Sequence, residues 1–233
     1  MRKLGIIGGM SWISTRTYYQ KINQQVQRRV APRASAPLLI ESLDYRSLGD
    51  LAEDESWSNA ANVLSESARR LEAAGAQGLL IAANVMHRVY DEIASAVDIP
   101  VLHIADCIGE RMQAAGASNA ALLGTRLVMT ENFFRRRLVA HGIDLLPPDM
   151  ENLEKLDRTI SEELKLGKAT RDAERLLKTI MTRYEQSGAE SVILACTELE
   201  LVVDVKANVL PIFDAAQIHC DAAVEWLLQD EPE

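Results

Sequence analysis

An internal echo constrains this chain more than any other feature. Leu4-Gly5-Ile6-Ile7-Gly8-Gly9-Met10, an apolar run closed by a glycine turn, returns as Ala120-Ala121-Leu122-Leu123-Gly124-Thr125-Arg126. Gly78-Leu79-Leu80-Ile81-Ala82-Ala83-Asn84 returns as Ser191-Val192-Ile193-Leu194-Ala195-Cys196-Thr197. Val101-Leu102-His103-Ile104-Ala105-Asp106 returns as Val209-Leu210-Pro211-Ile212-Phe213-Asp214. The offsets are 116 (Leu4 to Ala120), 113 (Ala83 to Cys196) and 108 (Asp106 to Asp214), so order is kept and register nearly kept. One such string is commonplace; three in order indicate a duplicated lobe.

Short apolar runs at 4–8, 38–43, 79–83, 101–104, 120–123, 192–196 and 210–213 alternate with longer helical patterns. That alternation predicts βα units around parallel sheets. Residues 14–30 carry Tyr18, Ile22, Val26 and Val30 on one stripe, with Ser11 or Ser14 as N-cap. Further helical stretches cover 57–74, ending at Gly75, and 151–187, ending at Gly188. Pro147-Pro148 is the clearest rigid break. The fold class expected is α/β, with two pseudo-symmetric lobes, each a parallel-sheet α/β sandwich. The first lobe is expected over 1–99 plus 210–233 and the second over 100–209. Ligands of parallel sheets sit beyond the carboxyl ends of the strands, so an active-site cleft between the two sets of loops is expected.

Charge and cysteine usage exclude several function classes. The chain has 233 residues, with 25 Lys plus Arg against 34 Asp plus Glu, a formal net charge of −9. A nucleic-acid binder needs a basic face, which this balance argues against. No apolar run approaches the roughly 20 residues of a membrane span. Met1 to Gly8 reads as a first strand and not as a signal peptide. Three cysteines, Cys107, Cys196 and Cys220, are too few and scattered for a disulfide framework or a zinc cluster. A reducing cytoplasmic setting is expected, with any important cysteine acting as a thiol.

Cys196 ends a predicted strand and precedes Thr197-Glu198, where a helix can open. Backbone N–H groups at a helix start lower a thiol pKa from about 8.5 toward neutrality, which would make Cys196 a base or nucleophile. The bland alternative is a small buried strand-end residue. Cys107 and Cys220 lie in helical pattern and read as core filling. Gly5, Gly8 and Gly9 do not have the G-x-G-x-x-G spacing, so no nucleotide cofactor is expected. The turn Gly8-Gly9-Met10-Ser11 is better suited to bringing amides toward a small anion. The four histidines show no ligand spacing, so no metal is expected. His87 either points into the cleft or is a satisfied histidine. Arg135-Arg136-Arg137 reads as the solvated side of an amphipathic helix, and Arg46 and Lys165 as cations on non-core stretches able to hold a carboxylate.

Four motifs, Gly8-Gly9-Met10-Ser11-Trp12 with Ser14-Thr15, Asn84-Val85-Met86-His87, Leu122-Leu123-Gly124-Thr125-Arg126 and Ala195-Cys196-Thr197-Glu198-Leu199, together resemble the aspartate/glutamate racemase family, in the subgroup with the Gly-Gly-Met-Ser-Trp turn. The resemblance spans almost the whole chain. It implies two α/β lobes, no cofactor, a small amino-acid substrate and a homodimer. Family members carry one thiol before the Asn of the second motif and another in the Cys-Thr-Glu motif, flanking the substrate Cα. Inversion needs a base and an acid on opposite faces, because one group cannot reach both. Cys196 matches the second thiol; Ala83 stands where the first would be and cannot exchange a proton. An introduced alanine, a water or other group on that face, or one-sided carbanion chemistry of the single-cysteine arylmalonate decarboxylase type would each account for it. A non-catalytic amino-acid-binding protein is a further alternative. Carried over by position, Met10, Ser11, Asn84, Val85, Thr125, Thr197 and Glu198 would bind the α-carboxylate and α-amino group. Lys165 stands where aspartate-specific relatives place a lysine for the distal carboxylate, Arg46 is the candidate for their arginine, and Ser161 replaces a tyrosine.

Overall fold

The apolar runs become the central strands of two sheets. In the computed structural model, which describes residues 1–49, 54–205 and 208–229, β1 (Leu4–Gly8), β2 (Leu38–Ser42), β3 (Gly78–Ile81) and β4 (Val101–Leu102) form one sheet. All its pairings are parallel, in the order β2-β1-β3-β4. β5 (Asn119–Gly124), β6 (Asp144–Leu145), β7 (Val192–Ala195) and β8 (Ile212–Asp214) form a second parallel sheet in the order β6-β5-β7-β8. Counted from its own first strand, each sheet has the same order, so the echo in sequence is an echo in topology. β1, β3 and β7 are buried along their whole length, the condition under which parallel strands read as continuous apolar runs. Every predicted strand is present, its ends displaced by two residues at most. β6 is additional, and at two residues it is too short to leave a pattern.

The helices are α1 (Trp12–Arg29), α2 (Asp54–Ala73), α3 (Tyr90–Ala94), α4 (Ile104–Ala114), α5 (Arg126–Thr130), α6 (Asn132–Ala140), α7 (Leu153–Glu162), α8 (Arg171–Gln186) and α9 (Ala215–Leu228). Ser11 caps α1, its side chain accepting the Ser14 N–H at 3.3 Å. The helical stretch expected over 151–187 is not continuous. α7 passes into a 3₁₀ turn, Leu164–Leu166, that stops at Gly167 with φ of 75°, a left-handed conformation that suits glycine. Thr170 then caps α8 by accepting the Ala173 N–H. Leu153, Leu156, Ile160 and Leu164 all stay buried up to the break, so the apolar stripe conceals it.

Two compact units result, 1–103 with 219–233, and 104–218. In the first, α9 is held by Asp221, which accepts from Gln25 Nε2 at 2.7 Å, and by the Trp226 ring, which leaves Gly78 no room for a Cβ. In the second, α4 is tied to α6 by the Arg137–Asp106 ion pair at 2.7 Å. The division differs from the sequence expectation at both crossings. The first unit runs to His103, and β8 stays with β7, paired from Val192↔Ile212 to Leu194↔Asp214, so the chain rejoins the first unit within α9.

The core of the second unit gathers Leu123, Leu156, Ile160, Leu177, Ile180 and Leu194. Burying each such side chain contributes about 1.5–3 kcal/mol. The arginine run on α6 is not a solvated face throughout. Arg135 donates to the carbonyls of Met129, Leu145 and Leu146, and Arg137 pairs with Asp106, leaving Arg136 exposed. The carbonyls around β6 need donors, and a guanidinium supplies several from one side chain. Among the described residues, no helix is long and apolar enough to cross a membrane.

Candidate active site

In the first unit the predicted site residues follow the carboxyl ends of β1, β2 and β3. Gly8 ends β1, and Gly9 turns the chain with φ of 85°. A Cβ at Gly9 would collide with the Leu43 backbone. Thr15 fastens this turn: its hydroxyl accepts the Gly9 N–H at 2.8 Å and donates to the Ser11 carbonyl at 3.1 Å. The Gly9 amide expected to approach an anion is therefore already occupied. Met10 is buried and Ser11 half-buried. The buried Ser14 hydroxyl donates to the Ala82 carbonyl at 2.9 Å, locking the start of α1 to the segment that carries Ala83.

Beyond β3, Ala83 precedes a 3₁₀ turn, Asn84–Val89. Asn84 is buried and Val85 half-buried. His87 is the satisfied alternative: it is 2% exposed, with Nδ1 at 3.1 Å from the Ala83 carbonyl and 3.3 Å from that of Asn84. Carbonyls only accept, so Nδ1 carries the hydrogen. The ring packs against those of His103 and His219, with centroids at 4.7 Å and 5.9 Å. This histidine cluster had no signal in the sequence, because its members come from three separate elements. Arg46 lies in the turn after β2, highly exposed and bound to Asp44 at 2.6 Å. Asp44 raises the Arg46 pKa, and Arg46 in turn lowers that of Asp44.

In the second unit β5 and β7 pair at Gly124↔Ala195, so Thr125 and Cys196 leave adjacent strand ends. Cys196 precedes a 3₁₀ turn, Thr197–Leu201, in which Thr197 and Glu198 are buried. The thiol donates to Glu198 Oε2 at 3.2 Å. Burial pushes the Cys196 pKa well up, and the Glu198 carboxylate pushes it the same way by its charge and by accepting the thiol hydrogen. The Lys165 charge and the Glu198 backbone N–H act in the opposite direction and are outweighed. The depressed thiol expected from a helix start is thus corrected. A five-residue turn does not offset desolvation beside a carboxylate. The Leu164–Leu166 turn, carrying half-buried Lys165, packs against Thr197–Leu201.

Three predicted residues share a further property. Asn84 Oδ1, Thr125 Oγ1 and Glu198 Oε1 are buried with no hydrogen-bond partner among the described residues. Buried polar atoms are almost always paired, and leaving one unpaired costs about 1–3 kcal/mol. Within the second unit, Thr125 Oγ1 and Glu198 Oε1 suit a polar group that supplies N–H or O–H donors. Ser14, Thr15 and the Cys196–Glu198 bond were not foreseen as supports. The Ser-Thr pair inside the first glycine motif was the available signal for the first two.

The sequence model of the Asp/Glu/hydantoin racemase family matches residues 7–223. The broad-specificity amino-acid racemase RacX of Bacillus subtilis is 23% identical over 228 residues, covering 97% of this chain and 98% of its own. The crystal structure of a Yersinia pestis protein described as a candidate Asp/Glu racemase superposes with a TM-score of 0.91 at 37% identity, covering 98% of this chain and 100% of that one. An aspartate racemase homologue from Pyrococcus horikoshii superposes with a TM-score of 0.86 at 32% identity, with the same coverage.

Proposed function

This chain belongs to the Asp/Glu/hydantoin racemase family, and we propose that it catalyses cofactor-independent α-proton transfer on aspartate, glutamate or a similar small amino acid. The observation that carries the reading is Cys196: a thiol beyond the carboxyl end of β7, hydrogen-bonded to the Glu198 carboxylate, next to the strand end that carries Thr125. In this reading Cys196 exchanges the α-proton on one face. Met10, Ser11, Asn84, Val85, Thr125, Thr197 and Glu198 bind the α-carboxylate and α-amino group, and Lys165, with Arg46, attracts a distal carboxylate. The negative charge of the carbanion is carried by pre-oriented N–H and O–H groups and needs no electron sink.

Ala83 has no proton to give. The enzyme therefore works from one face, with a slow or one-directional conversion that a bound water completes. The reading adds a homodimer in the cytoplasm, where Cys107, Cys196 and Cys220 stay as free thiols. The test is proton NMR of each common amino acid in D2O. The enzyme should wash out the α-proton of one enantiomer, and Cys196→Ser should slow this by about 10²–10⁴. No exchange with any amino acid overturns the reading.

The missing thiol at Ala83 also favours a second reading, a single-thiol decarboxylase in which Cys196 protonates the carbanion left when a carboxylate departs as carbon dioxide. Carbon dioxide release from malonate-type acids, with no exchange on amino acids, would select it.

A further inference from the structure

Side chains brace the loop after β3 at three successive carbonyls. The Ser14 hydroxyl donates to that of Ala82 at 2.9 Å, and His87 Nδ1 donates to those of Ala83 at 3.1 Å and Asn84 at 3.3 Å. In the matching turn of the second unit a backbone group does this, the Leu199 N–H donating to the Cys196 carbonyl at 3.1 Å. The peptide bonds of the β3 loop are trans, so each carbonyl and the N–H of the next residue point opposite ways across one rigid plane. Fixing the Ala83 and Asn84 carbonyls toward the imidazole therefore turns the Asn84 and Val85 N–H groups away from it. These two residues open the 3₁₀ turn, where an N–H has no partner inside the turn, and the described residues supply none from outside it. Asn84 is buried, and a buried N–H needs a partner, which a ligand can supply.

Resting on the racemase reading, we propose that His87 is a positioning residue: through the Ala83 and Asn84 carbonyls it aims the Asn84 and Val85 N–H groups at the α-carboxylate of the substrate. When the α-proton leaves for the Cys196 sulfur, the Cα–H electron pair delocalises from Cα into that carboxylate. Its oxygens then carry more negative charge than in the bound amino acid. Donors already aimed at those oxygens stabilise the carbanion more than the ground state, with no reorganisation at the moment of reaction. The half of the chain that lacks a thiol at position 83 thus contributes fixed dipoles. In this role His87 exchanges no proton and meets no substrate atom; it acts through the backbone of its own loop.

The His87 ring also packs against those of His103 and His219, so a packing role competes with positioning. Two variants separate them. His87→Phe keeps a ring and removes the donor; His87→Asn keeps a nitrogen donor at the place of Nδ1 and removes the ring. The readout is kcat and KM for α-proton exchange in D2O, on the enantiomer that wild type exchanges. Positioning predicts that His87→Phe loses about 10² in kcat, what a group misplaced by about 1 Å costs, with KM raised less than about tenfold. His87→Asn should keep kcat within about tenfold of wild type. Packing predicts the reverse order. His87→Phe at the wild-type kcat overturns the proposal whatever His87→Asn does, and leaves the racemase reading standing. Equal losses in the two variants overturn it as well. Should His87→Phe not fold, His87→Leu takes its place under the same criteria, since it and His87→Asn both lack the ring and only Asn donates. Wild-type protein with no exchange on any amino acid removes the reading and the proposal together.

Discussion

Ala83 and Cys196 occupy the same backbone conformation, φ −154° and ψ 118° against φ −150° and ψ 123°. Each leaves the carboxyl end of a strand, β3 or β7, and opens a 3₁₀ turn. The two halves of the chain therefore present one side-chain position twice, once with a thiol and once with a methyl group. Ala83→Cys changes one side chain at a backbone already shaped for cysteine in the other half. It should raise the slower direction of amino-acid conversion by about 10²–10⁴, the usual worth of one general acid. Chiral chromatography of both enantiomers checks this. A folded variant with no gain in either direction would count against a proton-transfer role at position 83.

The Gly9 turn is a stability test of the first motif. Its φ of 85° and the closeness of the Leu43 backbone leave no room for a side chain. Gly9→Ala should cost at least about 2 kcal/mol, combining left-handed strain with a displaced β2 end. Urea denaturation at neutral pH measures it; a change under 0.5 kcal/mol, roughly what a neutral surface substitution gives, would show that the turn relaxes freely.

How much was legible follows from which interactions are local. Central parallel strands are buried on both faces, so β1, β3, β5 and β7 announce themselves as apolar runs, and glycines mark the ends of β1 and β5. The break at Gly167 did not show, because the leucine stripe of α7 runs up to it unbroken in character. The state of the Cys196 thiol is hidden for a different reason: the helix-start argument is local, whereas burial and the position of the Glu198 carboxylate exist only once the second unit has folded. The role of Arg135 is hidden likewise, since carbonyls of residues 129, 145 and 146 meet it only in three dimensions.

That arginine run supplies its own contrast. Arg135→Ala removes the donor from three carbonyls and should destabilise the protein by about 1–3 kcal/mol. Arg136→Ala, one residue along on the exposed side, should cost no more than about 1 kcal/mol, the range of exposed interactions, and less than Arg135→Ala. Parallel thermal melts separate the two, and equal effects would contradict the structural role of Arg135.

The buried histidine cluster predicts an acid limit to stability. His219 Nε2 lies 3.2 Å from the Leu102 carbonyl, which only accepts, so Nε2 carries the hydrogen and Nδ1 accepts from the Tyr18 hydroxyl at 3.0 Å. Burial holds the His219 pKa down at about 4, against an ordinary 6.5, although the Leu102 carbonyl works the other way. Between those values the unfolded chain binds the proton and the folded one does not. Stability from this group is therefore complete above pH 6.5, falls as pH drops toward 4, and changes no further below it. The full loss is roughly 3 kcal/mol. Chemical denaturation from pH 7 to 4 should show this slope, and His219→Gln, less stable at pH 7, should lose less over the same interval. A wild-type slope matched by the variant would place the acid sensitivity elsewhere.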